Sequence, residues 1–509
     1  MPRYAAIDIG SNSIRMLAAE VDPQGAVRTL GAERRVVRLG TNVFREGWLG
    51  AQEIGLGCQV LAQMAESCRK WDVRAMRVVA TSALRDASNR AEFLEPAARI
   101  LGAPVEVISG LEEARLIHLG VQAGWPHPKQ RLLILDVGGG SAELILGEAG
   151  HFVEAYSKPL GAVRLTELFL KSDPADPREL ARMQKYIQER IAGPVARFSS
   201  ARANRLIATS ATAAAVVCAV NNVARSRRDR ADRLPATGPQ IRHLFHQVAE
   251  RNLAGRAKIT GIGPKRAEII IAGVAVLHEV IHALRLPRLY YSTAGVREGI
   301  IEDLAHGKAG QEQARLTSDQ RRVVRALARR YGTAAAHCRQ VAELASMLFH
   351  ELRSLHGLAP AKGRLLEVAA NLYNIGHFVN EARHHRHSMY LVANSDLPGF
   401  EDRERMVIAN LCRYHRKSMP QVSHESFLAL DPEDRHAVAF LAPLLRLAVA
   451  LDQSQEQRVE RVDAVVQDGS VEIFLYSEQD VDIEQWHAQR VAEAFQQVYG
   501  LPLAVRVKR

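Results

Sequence analysis

The sequence predicts an α/β protein of several domains whose second half turns helical. Three observations carry this. Short apolar runs alternate with helix-like segments near the start, one D-x-G-x-x-S turn occurs twice between apolar runs, and from about Leu316 apolar residues recur at three- and four-residue intervals. The chain has 509 residues, more than one core usually holds. The expected divisions are two similar α/β domains at 1–125 and 126–305, a helical domain at 306–455 and a small α+β unit at 456–509.

In chain order, 4–8 read as an apolar strand closed at Gly10, and 14–21 resume the pattern. Runs at 77–80 and 104–108 are each followed by a helix-like segment, at 89–101 and 111–121, which implies a largely parallel sheet. Gly124-Trp125-Pro126-His127-Pro128 breaks the pattern and sets the first boundary. The pattern then restarts, with a strand at 132–136, a Gly138-Gly139-Gly140-Ser141 turn and an apolar return at 142–146. Asp8-Ile9-Gly10-Ser11-Asn12-Ser13 and Asp136-Val137-Gly138-Gly139-Gly140-Ser141 thus share spacing and setting, so two similar domains are expected to face each other. Val341, Leu344, Ala345, Leu348 and Leu352 exemplify the helical period, which continues to about Leu451. Beyond it, 462–466 and 471–475 flank the hairpin signal Asp468-Gly469, before a helix at 483–499 and a strand at 503–507.

Composition narrows the class. The longest apolar run, 269–277, stops at His278-Glu279, short of a membrane span, and nothing after Met1 resembles a signal peptide. Five scattered cysteines fit a reducing compartment rather than a disulfide framework, so a cytoplasmic protein is expected. The net charge of +11 favours a polyanionic partner. Only 6% of residues are aromatic and none interleave with a basic run, which counts against nucleic acid.

Each D-x-G-x-x-S turn has the parts of a phosphate site. Glycines let backbone N–H groups approach an anion, while Ser11, Asn12, Ser13 and Ser141 add side-chain donors. Asp8 and Asp136, at the strand ends, suit a hard divalent cation. Either turn alone reads equally well as a tight hairpin; the matched pair favours a phosphate cleft. Glu112 and Glu113 follow Ser109-Gly110 at a helix start, where acidic residues are common for dipole reasons alone.

Five ordered motifs make the chain resemble the exopolyphosphatase and guanosine pentaphosphate phosphatase family. They are Tyr4-Ala5-Ala6-Ile7-Asp8-Ile9-Gly10-Ser11-Asn12-Ser13, Thr81-Ser82-Ala83-Leu84-Arg85, Ile108-Ser109-Gly110-Leu111-Glu112-Glu113-Ala114-Arg115, Asp136-Val137-Gly138-Gly139-Gly140-Ser141-Ala142-Glu143 and Ser292-Thr293-Ala294-Gly295-Val296-Arg297-Glu298-Gly299. The resemblance implies two actin-like (ribonuclease H-like) domains that close on a phosphate cleft. By position it makes Glu113 the base that activates water, and Asp136 and Glu143 the carboxylates for Mg²⁺. Asp8, Ser11, Asn12, Ser13, Arg85, Gly138, Gly139, Gly140 and Ser141 become the phosphate cradle, with Lys265 and Arg266 on the substrate path. Where the family often has Ser-Gly-Thr, this chain has Ser210-Ala211-Thr212, which argues mildly against nucleotide docking.

The helical segment resembles a degenerate HD phosphohydrolase domain. His337 and Asp452 match the outer ligands, but Tyr373-Asn374 stands where the His-Asp pair belongs, so that metal site is expected to be inactive. His385, His387, Arg416 and Lys417 match stretches of the longer, four-domain members and are expected to hold phosphates far from the cleft, with surface solvation as the competing account. The arginine-rich run 225–233 is expected to be a solvated loop, or a steering field for a polyanion. The expected function is processive exopolyphosphatase with Mg²⁺, K⁺ being open as a second cation, in a homodimer. Hydrolysis of guanosine pentaphosphate to tetraphosphate is the alternative, with a sugar-kinase-like enzyme and a non-catalytic polyphosphate or alarmone sensor behind it.

Overall fold

The computed structural model describes the chain apart from Pro23, Pro128, residues 200–202, Asn204, residues 311–315, Asp468 and Arg509, with backbone alone at 306–310 and Ser318. It divides into two compact units, Met1–Gly307 and Lys308–Arg509.

The first unit is built on two sheets of matching order. Strands β1 (Arg3–Ile9), β2 (Ser13–Val21), β3 (Val27–Val36), β4 (Ala75–Ala80) and β5 (Val105–Val107) lie in the order β3-β2-β1-β4-β5. Strands β6 (Arg131–Val137), β7 (Ala142–Glu148), β8 (His151–Lys158), β9 (Arg205–Thr209), β10 (Pro235–Thr237) and β11 (Arg288–Tyr291) repeat it as β8-β7-β6-β9-β11, with β10 added at the edge. Both sheets are mixed, which corrects the expectation of largely parallel ones. The strand before each D-x-G-x-x-S turn pairs antiparallel with the strand after it, because only antiparallel neighbours can be joined by so short a turn. The parallel pairings, β1 with β4 and β6 with β9, are reached through helical crossovers.

The central strands read as continuous apolar runs because both faces are covered. Ala5, Ile7 and Ile9 of β1 enter one core while Tyr4 and Ala6 enter another. In β6, Leu133, Leu135 and Val137 separate in the same way from Leu132 and Ile134. Two helices, Gly110–Gly124 and Val296–Gly310, cross almost backbone to backbone. A Cβ on Gly120 would sit 2.1 Å from the Gly295 carbonyl oxygen, and one on Gly299 1.8 Å from that of Leu116. Glycine is therefore required on both helices, and this crossing sets where Glu112 and Glu113 stand.

The second unit packs helices Ala335–Glu351, Pro360–Leu372, Asp402–Tyr414 and Pro432–Ala450 with shorter neighbours, and ends in a three-stranded sheet. That sheet, β12 (Arg461–Gln467), β13 (Ser470–Tyr476) and β14 (Leu503–Lys508), shares one core with the helices, joining Leu344, Leu441 and Leu445 to Val462, Ile473 and Phe495. The division expected at 455/456 thus separates kinds of element within one core. The helix expected at 483–499 is two, Asp482–Gln489 and Ala492–Tyr499; the break turns Phe495 into the core while Trp486 stays exposed. Of the expected hairpin signal, Asp468 lies outside the described residues, while Gly469 has φ +74°, a left-handed value suited to glycine.

Candidate active site

The two D-x-G-x-x-S turns meet. A Cβ on Gly139 would lie 3.0 Å from Ser11 Cβ and 3.2 Å from the Asn12 nitrogen, and one on Gly140 2.4 Å from Ser82 Oγ, so the loops touch only because these positions are glycine. Each loop closes on itself, Gly10 N–H donating to the Ser13 carbonyl at 3.2 Å and Gly138 N–H to that of Ser141 at 3.0 Å. Between them lies a cavity of about 70 Å³ lined by Asp8, Ser11, Asn12, Ser13, Glu113, Asp136 and Gly138 to Ser141. Sites for drug-sized ligands run to roughly 300–1,000 Å³, so this one suits a phosphoryl group rather than a nucleoside.

Four carboxylates converge on it electrostatically. Glu113 is held well above the usual carboxylate range, first by burial and then by Glu143, against the pull of Arg85. Burial, with Asp136 beside it, pushes Glu143 up to about 7, and burial also pushes Asp136 up to about 6. Asp8 is raised by burial despite Arg15 and Arg297. Glu113 Oε2, Glu143 Oε2 and Ser11 Oγ are buried with no hydrogen-bond partner among the described residues. The other oxygen of Glu143 accepts from Ser157 Oγ at 2.8 Å. Arg85 stands behind Glu113, its Nη2 3.7 Å from Oε2 and its Nη1 donating to the Ile108 carbonyl at 2.5 Å.

Glu112 is placed otherwise. Burial works against its charge, yet Arg115 and Arg77 hold its carboxyl below the ordinary value. Arg115 grips it with Nε and Nη2 at 2.8 and 2.7 Å, and Asp303 fixes both arginines from the crossing helix. Ser109 caps the helix by accepting from Glu112 N–H at 3.1 Å. Of the two glutamates, Glu113 lines the cleft and keeps an oxygen unpartnered among the described residues.

Asn12, Ala211 and Arg228 also line a second cavity, of about 240 Å³. Arg34, Arg35, Arg225, Arg228, Lys265 and Arg266 surround it, and among the described residues no Asp or Glu does. Burial and the neighbouring arginines push the Arg34 guanidinium down to about 8 and that of Arg266 to about 9. Arg34 Nε is buried without a hydrogen-bond partner among the described residues. Lys265 and Arg266 therefore sit beside Asn12, and Arg225–Ala231 forms 3₁₀ turns kinked at Arg227 that contribute Arg225 and Arg228 to the same cavity. Ser210 has φ +89°, whereas Ala211, at the position of the lost glycine, does not require positive φ.

In the second unit, His385 and His387 lie on the helix His384–Ala393, with Arg416 and Lys417 just past Asp402–Tyr414. Arg416 Nη1 is 3.2 Å from His384 Nδ1, and the His384 and His415 rings stack at 5.3 Å. His337 Nδ1 is 2.7 Å from Asp452, and its other nitrogen is bonded to the Tyr373 hydroxyl.

The profile of the Ppx/GppA phosphatase family matches residues 17–308, more than half of the sequence, and that of Ppx/GppA phosphatase, domain III, matches 320–493. This chain belongs to the Ppx/GppA phosphatase family. The Aquifex aeolicus family member is 28% identical, with a TM-score of 0.52 over 60% of this chain and 98% of its own. The Aquifex aeolicus PPX-GPPA enzyme is 29% identical, with a TM-score of 0.52 over 59% and 99%. An exopolyphosphatase from Cytophaga hutchinsonii shares the fold, with a TM-score of 0.56 at 23% identity over 60% and 98%. The paired sheets are thus the actin-like pair of this family.

The carboxylates of the cleft are the groups that could hold a divalent cation. Among the described residues no group of three or more His, Cys, Asp or Glu forms a ready metal cage. Mg²⁺, however, is usually held by one or two carboxylates with waters and substrate phosphates, and buried carboxylates with unpartnered oxygens supply that need. Several residues of the site were not anticipated. Arg15 and Arg297 line the cleft, and Arg34 and Arg35 line the cationic cavity. The motif containing Arg297 was visible in the sequence; nothing local marked Arg34 or Arg35, which reach the cavity through sheet pairing.

Proposed function

We propose that this chain is an exopolyphosphatase that removes the terminal phosphate of inorganic polyphosphate by processive, metal-assisted hydrolysis. One observation carries the reading: a phosphoryl-sized cleft with a buried glutamate adjoins a cavity lined, among the described residues, by six cations and no carboxylate. A linear polyanion would place its end in the first and its next phosphates in the second. Glu113 takes a proton from water, the oxygen attacks the terminal phosphorus, the bridging P–O bond breaks, and its electron pair stays on the shortened chain. Asp136 and Glu143, with Asp8 beside them, would hold Mg²⁺, which when bound neutralises charge on the phosphoryl oxygens. The N–H groups of the two loops hold the terminal phosphate in line, and the arginines bind the chain behind it.

The second unit is read as a degenerate HD-type domain, since the Tyr373 hydroxyl takes the nitrogen of His337 that a metal would need. With its cations around His385, His387, Arg416 and Lys417, it would act as a second grip and keep a long chain bound between cuts. The test runs long polyphosphate and guanosine pentaphosphate side by side and resolves partial digests on a gel. The expected result is faster phosphate release from polyphosphate, with intact long chains persisting beside free phosphate. Arg416→Glu with Lys417→Glu should yield a ladder of intermediate lengths. Release from guanosine pentaphosphate alone would overturn the substrate reading, and an unchanged gel pattern in the double variant would overturn the grip.

A further inference from the structure

Behind the second phosphate loop lies the first turn of the helix Ala162–Phe169. It takes the loop's carbonyls one after another. Ala162 N–H donates to Gly138 O at 3.0 Å, and the N–H groups of Val163 and Arg164 donate to Gly139 O at 2.8 and 3.1 Å. No backbone N–H among the described residues donates to Gly140 O; the Arg164 side chain does, with Nε at 2.7 Å. In the first loop the corresponding carbonyl, Asn12 O, is held by backbone alone, through the N–H groups of Val37 and Arg38.

A trans peptide points its C=O and the next N–H in opposite directions. Holding the carbonyls of Gly138, Gly139 and Gly140 on the helix side turns the N–H groups of Gly139, Gly140 and Ser141 away from it. None of these three donates to a backbone carbonyl among the described residues. Gly161 makes the clamp possible, since a Cβ there would lie 2.3 Å from Gly139 O and Gly140 N. The rest of the Arg164 guanidinium is committed as well. Nη2 donates to Ser82 Oγ at 3.0 Å and pairs with Asp86, and the group covers the Phe44 ring at 4.0 Å. Ser82 and Asp86 belong to the first sheet's side of the unit, so Arg164 ties the loop to the opposite wall of the cleft.

We propose that Arg164 is a positioning residue that sets the direction of the Ser141 N–H, the last of three backbone donors to the phosphoryl group. It lies outside the cleft lining and acts through the Gly140 peptide. The inference rests on reading the cleft as a phosphoryl site, and the two can fail separately.

The test compares the parent with Arg164→Ala, and with Arg164→Lys should the alanine variant not fold. Inorganic phosphate binding is followed by calorimetry, and orthophosphate release from polyphosphate with and without added guanidinium. Phosphate affinity should fall about tenfold or more, as for loss of one hydrogen bond to a charged group. Turnover should fall on the order of 100-fold, the scale of one lost transition-state donor, with KM for long chains moving far less. Guanidinium should restore part of both in Arg164→Ala and change neither in the parent. Phosphate affinity and turnover at parent levels in the variant would overturn the proposal. So would a loss that guanidinium leaves unrepaired in a variant melting at the parent temperature. A parent that binds phosphate through Arg164 yet releases none from polyphosphate would leave this inference standing and remove the exopolyphosphatase reading.

Discussion

A carboxylate buried without a counter-ion costs several kcal/mol to ionise, and the cleft holds more than one. Asp136 and Glu143 sit at about 6 and 7 because burial opposes ionisation first, then Asp8 beside Asp136 and Asp136 beside Glu143, while Arg15 and Arg85 compensate only in part. A divalent cation would supply the missing charge, which is why these residues are proposed to set the metal requirement. Asp136→Asn and Glu143→Gln should each raise the Mg²⁺ concentration for half-maximal phosphate release, and chelation should stop the parent. Full activity in excess chelator would rule out metal assistance. Spacing and composition left Glu112 and Glu113 open as helix-start acids, and only the family resemblance singled out Glu113. What separates them is tertiary: Asp303, nearly two hundred residues on, holds Arg115 and Arg77 on Glu112. No spacing rule could have shown that pairing.

Among elements, the end of the helix Asp402–Tyr414 carries a buried histidine stack. His415 is buried, its Nδ1 2.7 Å from the Cys412 carbonyl oxygen, with the His384 ring stacked beside it. Burial first, then His384, His385 and Arg416, hold its pKa well below the ordinary 6.5; the Cys412 hydrogen bond works the other way. His385 is pushed down to about 4, again by burial first. With folded pKa values depressed, the stability these groups contribute is complete above about pH 6.5 and lost as pH falls toward the folded values. The slope is about 1.4 kcal/mol per pH unit for each histidine that stays neutral. The melting temperature of the second unit should therefore fall steadily from pH 7 to pH 5, and less steeply in His415→Gln. Equal slopes in the two proteins would remove this account. The helix itself was readable from its apolar period; the neutral histidine stack was not, because His384 and His415 meet only once two helices have packed.

For the whole molecule, the repeated D-x-G-x-x-S turn foretold two like domains, and the shared strand order β3-β2-β1-β4-β5 and β8-β7-β6-β9-β11 bears out that similarity. The mixed pairing was missed because apolar runs carry no direction; the shortness of the turns held that information. The cationic cavity was half legible: Lys265, Arg266 and the arginine run stood out, whereas Arg34 and Arg35 alternate along β3 like ordinary surface residues. The central claim is that water activated by Glu113 attacks the terminal phosphorus of polyphosphate. Hydrolysis in ¹⁸O-water, followed by the isotope shift in phosphorus NMR, tests it most directly. One labelled oxygen should appear in each released orthophosphate and none at the end of the shortened chain, with Glu113→Gln slower by ~100- to 10,000-fold. Label on the shortened chain, or parent-like release by Glu113→Gln, would contradict it.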